Sequence, residues 1–113
     1  MTWRSTDIAG ATLADGASRE VLLGTTSVLL IRSQGRLHAL DAICPHLGGL
    51  LADGLLEGER LTCPEHAAAF DVRDGHVLAD PFGIEPPLDG VGPLTAFAVR
   101  VEAGTIEVDL PDR

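Results

Sequence analysis

With 113 residues, the chain can build one domain around one hydrophobic core, but not two. Hydrophobic residues at 45% and charged residues at 22% exclude a disordered chain. Seventeen acidic residues against eight arginines and no lysine leave a net charge of -9, which opposes binding to nucleic acid or an anionic membrane and favours a partner with a basic docking face.

No run approaches the ~18 apolar residues of a membrane span, and the start, Met1 to Asp7, lacks the basic-then-apolar pattern of a signal peptide. The expectation is a cytoplasmic protein, in which two cysteines serve as ligands or nucleophiles rather than as a disulfide. Residues 8–19 predict only a short turn near Ile8-Ala9 and Leu13-Ala14, because Gly10 and Gly16 limit helix. Residues 21–23 and 28–32 are short apolar runs split by a turn at 24–27. A second turn at 33–36 leads into residues 37–40 and completes a hairpin. Residues 42–80 break the pattern with loops carrying Cys, His, Gly and Pro. Residues 80–93 hold four of the seven prolines, a long connection of the functional or mobile kind. Residues 94–101 and 105–110 alternate, which puts Val99, Val101, Ile106, Val108 and Leu110 on one face at period two. Short strands between glycine-rich turns predict a small antiparallel all-β domain.

Both cysteines stand beside a histidine, in Cys44-Pro45-His46 and in Cys63-Pro64-Glu65-His66, with sixteen residues between His46 and Cys63. Two thiolates and two imidazoles on two tight loops form a four-ligand set of borderline softness. Proline after each cysteine stiffens the loop, and Gly48-Gly49 permits close backbone approach. Zinc fingers keep their cysteines together and their histidines together, whereas each loop here mixes one of each, which disfavours a structural zinc site. A cysteine nucleophile with histidine as base would need a third orienting group and leaves the duplication unexplained.

The segments Cys44-Pro45-His46-Leu47-Gly48 and Cys63-Pro64-Glu65-His66, with Leu51-Ala52-Asp53-Gly54 before the second and Phe70-Asp71 after it, resemble the signature of Rieske [2Fe–2S] proteins. The resemblance runs essentially end to end, and takes in a strand over residues 55–62, the Asp74-Gly75 hairpin and the final strand pair. It implies the Rieske iron–sulfur fold, an antiparallel β sandwich, as a single domain over residues 1–113 with a cluster-binding subdomain at about 42–80. It also implies one Rieske-type [2Fe–2S] cluster, Cys44 and Cys63 holding one iron and His46 and His66 the other. Neutral imidazoles make their iron the easier one to reduce. In size the chain is similar to the ferredoxins of bacterial aromatic-ring oxygenases. The function so implied is a soluble one-electron carrier with no catalytic residues, accepting electrons from a flavin-dependent ferredoxin reductase and passing them to a terminal oxygenase. The alternative is a small Rieske-like subunit of a larger redox enzyme such as a nitrite reductase.

The high-potential members of that family carry an extra cysteine in each loop and a serine and tyrosine that hydrogen-bond cluster sulfurs. Gly49 and Glu65 stand at the cysteine positions here, and Ala68 and Phe70 at the other two, so neither a disulfide nor those donors are available. Residues 41–80 also carry eight acids against two arginines. Together these features place the potential at the lower end of the Rieske range, about −150 mV. The family usually has glycine after the second histidine, and Ala67 is strained if that position needs a positive φ. Pro81, Phe82 and Gly83 are expected to shield the cluster. Trp3, Phe82 and Phe97 are read as core or lid residues, and His38 and His76 as packing or surface residues.

Overall fold

The structure is a computed structural model that describes residues 2–111, so residues 1, 112 and 113 of the expected 1–113 domain lie outside the described residues. Among the described residues, eleven short strands form three antiparallel sheets, joined by turns and three single-turn 3-10 segments. The strands are β1 (Trp3–Ala9), β2 (Ser18–Leu23), β3 (Thr26–Ser33), β4 (Arg36–Asp41), β5 (Leu55–Glu57), β6 (Arg60–Thr62), β7 (Ala69–Asp71), β8 (Val77–Ala79), β9 (Ala96–Phe97), β10 (Val99–Glu102) and β11 (Thr105–Asp109). Their orders are β1-β11-β10, β2-β3-β4-β9 and β5-β6-β7-β8.

The apolar run of β3 explains the layering. Val28 and Leu30 join one core with Ile8, Ala39, Ile106 and Val108, while Leu29 and Ile31 join another with Leu40, Leu61, Phe70 and both cysteines. Side chains alternate across a strand, so an uninterrupted apolar stretch is what a strand buried on both faces requires. The single core expected from length is therefore divided in two by the β2-β3-β4-β9 sheet. Ser33 ties that sheet to the β5–β6 turn by donating its hydroxyl to the Gly58 carbonyl at 2.6 Å.

Several expectations change in detail. Residues 55–62 are a tight hairpin rather than one strand, with Glu57 opposite Arg60 and Gly58 at φ +61. Residues 94–101 are two strands. Ala96 and Phe97 pair with β4, and from Val99 onward the chain pairs with β11. Ala98 turns the chain between the sheets and accepts the Asp109 N–H at 2.9 Å. Ile106, Val108 and Leu110 are buried as predicted, but Val101 is 48% exposed over Gly10. Strand β1 has no apolar alternation to announce it. Its register comes from the ladder to β11 and from Thr6, whose hydroxyl donates to the Ile106 carbonyl at 2.8 Å. The turn expected near residues 8–14 is a 3-10 segment at Gly10–Thr12, clamped by Arg32, which donates to the carbonyls of Leu13 and Gly10.

Candidate metal centre

The two cysteine loops share one hydrogen-bond scheme. In the first, the Cys44 N–H donates to the Gly49 carbonyl at 2.8 Å, and the Gly48 N–H donates back to the Cys44 carbonyl at 3.2 Å. In the second, the Cys63 N–H donates to the Ala68 carbonyl at 2.7 Å, and the Ala67 N–H to the Cys63 carbonyl at 3.2 Å. Gly48 and Ala67 therefore occupy the same place, and both have left-handed backbone, φ +75 and φ +63. The strain expected at Ala67 is present. An Ile43–Leu50 bridge closes the first loop, and β6 and β7 flank the second.

Cys44 and Cys63 are both buried, as free thiols, in the core that also holds Ala68 and Phe70. Burial pushes the Cys44 thiol up to about 11, against a backbone hydrogen bond at His46 that lowers it, and the neighbouring Cys63 raises it further. Two sulfurs so close in an apolar setting resist becoming thiolates together unless positive charge lies between them. The imidazoles of His46 and His66 meet edge to face, ring centroids 4.9 Å apart and planes at 74°. His66 Nδ1 is buried and has no hydrogen-bond partner among the described residues, which leaves that nitrogen available to a ligand.

The backbone near the sulfurs is as constrained as the sequence predicts. A Cβ on Gly49 would lie 2.7 Å from Cys63 Sγ, 2.8 Å from Glu65 Cγ and 3.5 Å from Glu65 Cβ. Positions 49 and 65 are thus in contact, and no side chain fits at 49 as the loops stand. A Cβ on Gly54 would meet the Thr62 carbonyl oxygen at 2.4 Å, so this glycine permits a close approach, whereas the sequence reads only as a turn. Ala68 and Phe70 are fully buried and offer no side-chain donor.

A single tetrahedral ion needs its donors within about 4 Å of one another. Among the described residues, the only three donors that converge within 4.8 Å are Asp71, Asp74 and His76. Those three are already engaged: Asp71 accepts from the Arg73 guanidinium, and His76 Nδ1 lies 2.6 Å from Asp74 Oδ1. The Cys44, Cys63, His46 and His66 set comprises two neighbouring sulfurs and two imidazoles in contact. Thiolates on one side and imidazoles on the other are a donor set that fits a binuclear iron–sulfur centre.

His38 and His76 stand apart from this set, as expected. His38 Nε2 is buried without a hydrogen-bond partner among the described residues, and burial holds the ring's pKa below its ordinary value. Of the three aromatic residues read as core or lid, Phe97 packs on the Ile106 core and Trp3 lies under the Arg100 guanidinium at 4.1 Å. Phe82 is not a core residue: it is 75% exposed, with its ring 5.3 Å from that of His66. Leu47, beside His46, is 77% exposed. Sequence reasoning did not single out Leu47 as an exposed contact, and its only signal is its place next to a candidate ligand.

Among known families, the Rieske [2Fe-2S] domain matches residues 6–86. The mouse (Mus musculus) apoptosis-inducing factor 3 is 35% identical over 85% of this chain, but the chain spans only 14% of that protein's length. The 3-phenylpropionate/cinnamic acid dioxygenase ferredoxin subunit of Escherichia coli K12 is 33% identical, covering 88% of this chain and 90% of its own. Among solved structures, a chain in the complex of reduced oxygenase and oxidised ferredoxin of carbazole 1,9a-dioxygenase matches with TM-score 0.78 and 27% identity. That match covers 94% of this chain and 91% of the other.

Proposed function

The chain belongs to the Rieske [2Fe-2S] domain family, and from that membership we propose that it is a one-electron carrier serving a terminal oxygenase. Its cofactor is a Rieske-type [2Fe–2S] cluster, for which we assign Cys44 and Cys63 to one iron and His46 and His66 to the other. The observation that carries the reading is the buried sulfur pair set beside the half-buried imidazole pair. Residues 42–80 are assigned as the cluster-binding subdomain.

When bound, the cluster would supply reversible one-electron chemistry, and His46 and His66 would hold the iron that is easier to reduce. The residues of the chain do the rest. Their loops hold the two sulfurs in an apolar core that excludes water, and bring the imidazole pair to the surface beside Leu47 and Phe82. The imidazole pair would thereby offer a docked partner a short contact rather than a path through the body of the protein. With all four ligand positions filled by protein side chains, no coordination site is open to a substrate, so the chain is an electron-transfer component and not an enzyme in itself.

The donor is assigned as a flavin-dependent ferredoxin reductase, and the acceptor as an aromatic-ring oxygenase. A net charge of -9 favours basic docking faces on both and makes docking salt-sensitive. No helix of the described residues is long and apolar enough to cross a membrane, and we assign the protein to the cytoplasm. The alternative of a subunit held within a nitrite reductase is not favoured, since the relatives of near-equal length include a dioxygenase ferredoxin subunit.

The test is iron and acid-labile sulfide analysis of the purified protein and of single variants. Cys44→Ser, Cys63→Ser, His46→Ala and His66→Ala are expected to lose the visible absorbance, and His38→Gln and His76→Gln to keep it. Retention of full iron and sulfide in any of the first four would remove that residue from the ligand set.

A further inference from the structure

The segment after β8 has no counterpart among the ligand loops, yet it reaches the ligands. Asp80 is 3% exposed, and its backbone closes a tight turn from both ends. The Asp80 N–H donates to the Ile84 carbonyl at 2.9 Å, and the Gly83 N–H donates to the Asp80 carbonyl at 3.1 Å. The side chain fixes the far end of the loop: Asp80 Oδ2 accepts the Leu88 N–H, while Oδ1 is buried with no partner among the described residues. Gly90 packs directly on this carboxylate, where a Cβ would lie 3.0 Å from Asp80 Cγ.

The turn so closed contains Phe82. Its backbone is left-handed at φ +67, its side chain is 75% exposed, its N–H donates to the His66 carbonyl and its ring lies against the His66 imidazole. A phenylalanine held in a costly conformation and left mostly in solvent adds little to the core. Its ring and its N–H both meet His66. Burying a charged carboxylate is likewise costly, unless the turn it organises needs that geometry.

We propose that Asp80 is a positioning residue, which holds the loop so that Phe82 covers the His66 side of the metal centre and limits water there. The surface ion pair of Arg60 and Glu85 also touches this loop, but both partners are solvated and such pairs contribute little. The inference rests on the assignment of His66 as a ligand. Reduction adds one negative charge to the centre, and water admitted beside His66 favours the more charged state. Loss of the Phe82 ring therefore raises the midpoint potential, and loss of the Asp80 anchor raises it through Phe82.

The experiment is a redox titration, followed by EPR, of the cluster-bearing protein and five variants. Phe82→Ala and Phe82→Gly are expected to move the midpoint upward by the same amount. Asp80→Ala should reproduce that shift, Asp80→Asn should return the wild-type value by still accepting the Leu88 N–H, and Asp80→Ala combined with Phe82→Ala should add nothing to Phe82→Ala alone. Should Asp80→Ala not fold, Gly90→Ala presses a Cβ against the carboxylate at a position outside the left-handed region and is expected to shift the midpoint in the same direction. An unmoved midpoint in Phe82→Ala would overturn the proposal, as would equal shifts in Asp80→Asn and Asp80→Ala, which would mark a direct effect of charge. A wild-type protein without the cluster signal would overturn the ligand assignment itself, and the inference with it.

Discussion

Replacing Ala67 with glycine should stabilise the protein, and replacing Gly48 with alanine should weaken it by a similar amount. The two residues are equivalent in the two loops: each donates its N–H to the carbonyl of the cysteine four positions earlier, and each is left-handed. A Cβ in that conformation costs about 1–2 kcal/mol. Alanine offsets about 0.4–1 kcal/mol of this by restricting the unfolded chain. The net effect is about 0.5–1 kcal/mol per exchange, favourable for Ala67→Gly and unfavourable for Gly48→Ala. Packing does not blur the comparison, since Ala67 is exposed and a Cβ on Gly48 meets nothing within 4 Å. An unfolding entropy of about 2.1 cal/mol/K per residue over 113 residues converts this to a shift of about 2–4 °C. Because cluster release makes heating irreversible, apparent unfolding temperatures are compared by circular dichroism at one scan rate. An unchanged or lower value for Ala67→Gly, with the visible spectrum intact, would refute the conformational argument.

Ala68→Ser puts a hydroxyl beside the sulfurs and should raise the midpoint potential; an unchanged potential in a cluster-bearing variant would contradict the hydrogen-bond account. Gly49→Ala places a Cβ in the space of Cys63 Sγ and should lower cluster occupancy, measured as iron per chain. Asp71 is held below the usual carboxylate range by its hydrogen bonds to Arg73, so its contribution is present above about pH 4 and lost as pH falls through the lower folded value. Asp71→Asn should cost about 1–3 kcal/mol at neutral pH in urea unfolding, and the cost should shrink in acid. His38 has the opposite charge change and the same direction: burial keeps it neutral, so its contribution is complete above about pH 6.5 and is lost as pH falls toward its lower folded value. The stability difference between wild type and His38→Gln should therefore change between pH 7 and 5, and a constant difference would exclude this linkage.

What was legible in the sequence was chemistry carried by residue type and spacing. Two mixed Cys/His loops announce a four-ligand centre, and a glycine pair announces backbone close to sulfur. The run at 28–31 announced a strand but not its double burial, because a fully apolar stretch is silent about how many layers cover it. Strand β1 was illegible for the opposite reason: in its seven residues only Ile8 is buried, so its existence is a property of the β11 ladder and not of its own pattern. Asp80 shows the same limit at the site. In the sequence it is an acid before a proline, like many solvated turn residues, and only the folded loop reveals that the carboxylate is buried beneath Gly90.

A redox titration of the anaerobically purified protein, read by low-temperature EPR, tests the central claim most directly. The account predicts a rhombic Rieske-type signal that appears on one-electron reduction, with a midpoint near the lower end of the family's range, about −150 mV. A protein that carries zinc and gives no iron signal under reduction would contradict the assignment of Cys44, His46, Cys63 and His66 to an electron-carrying cluster.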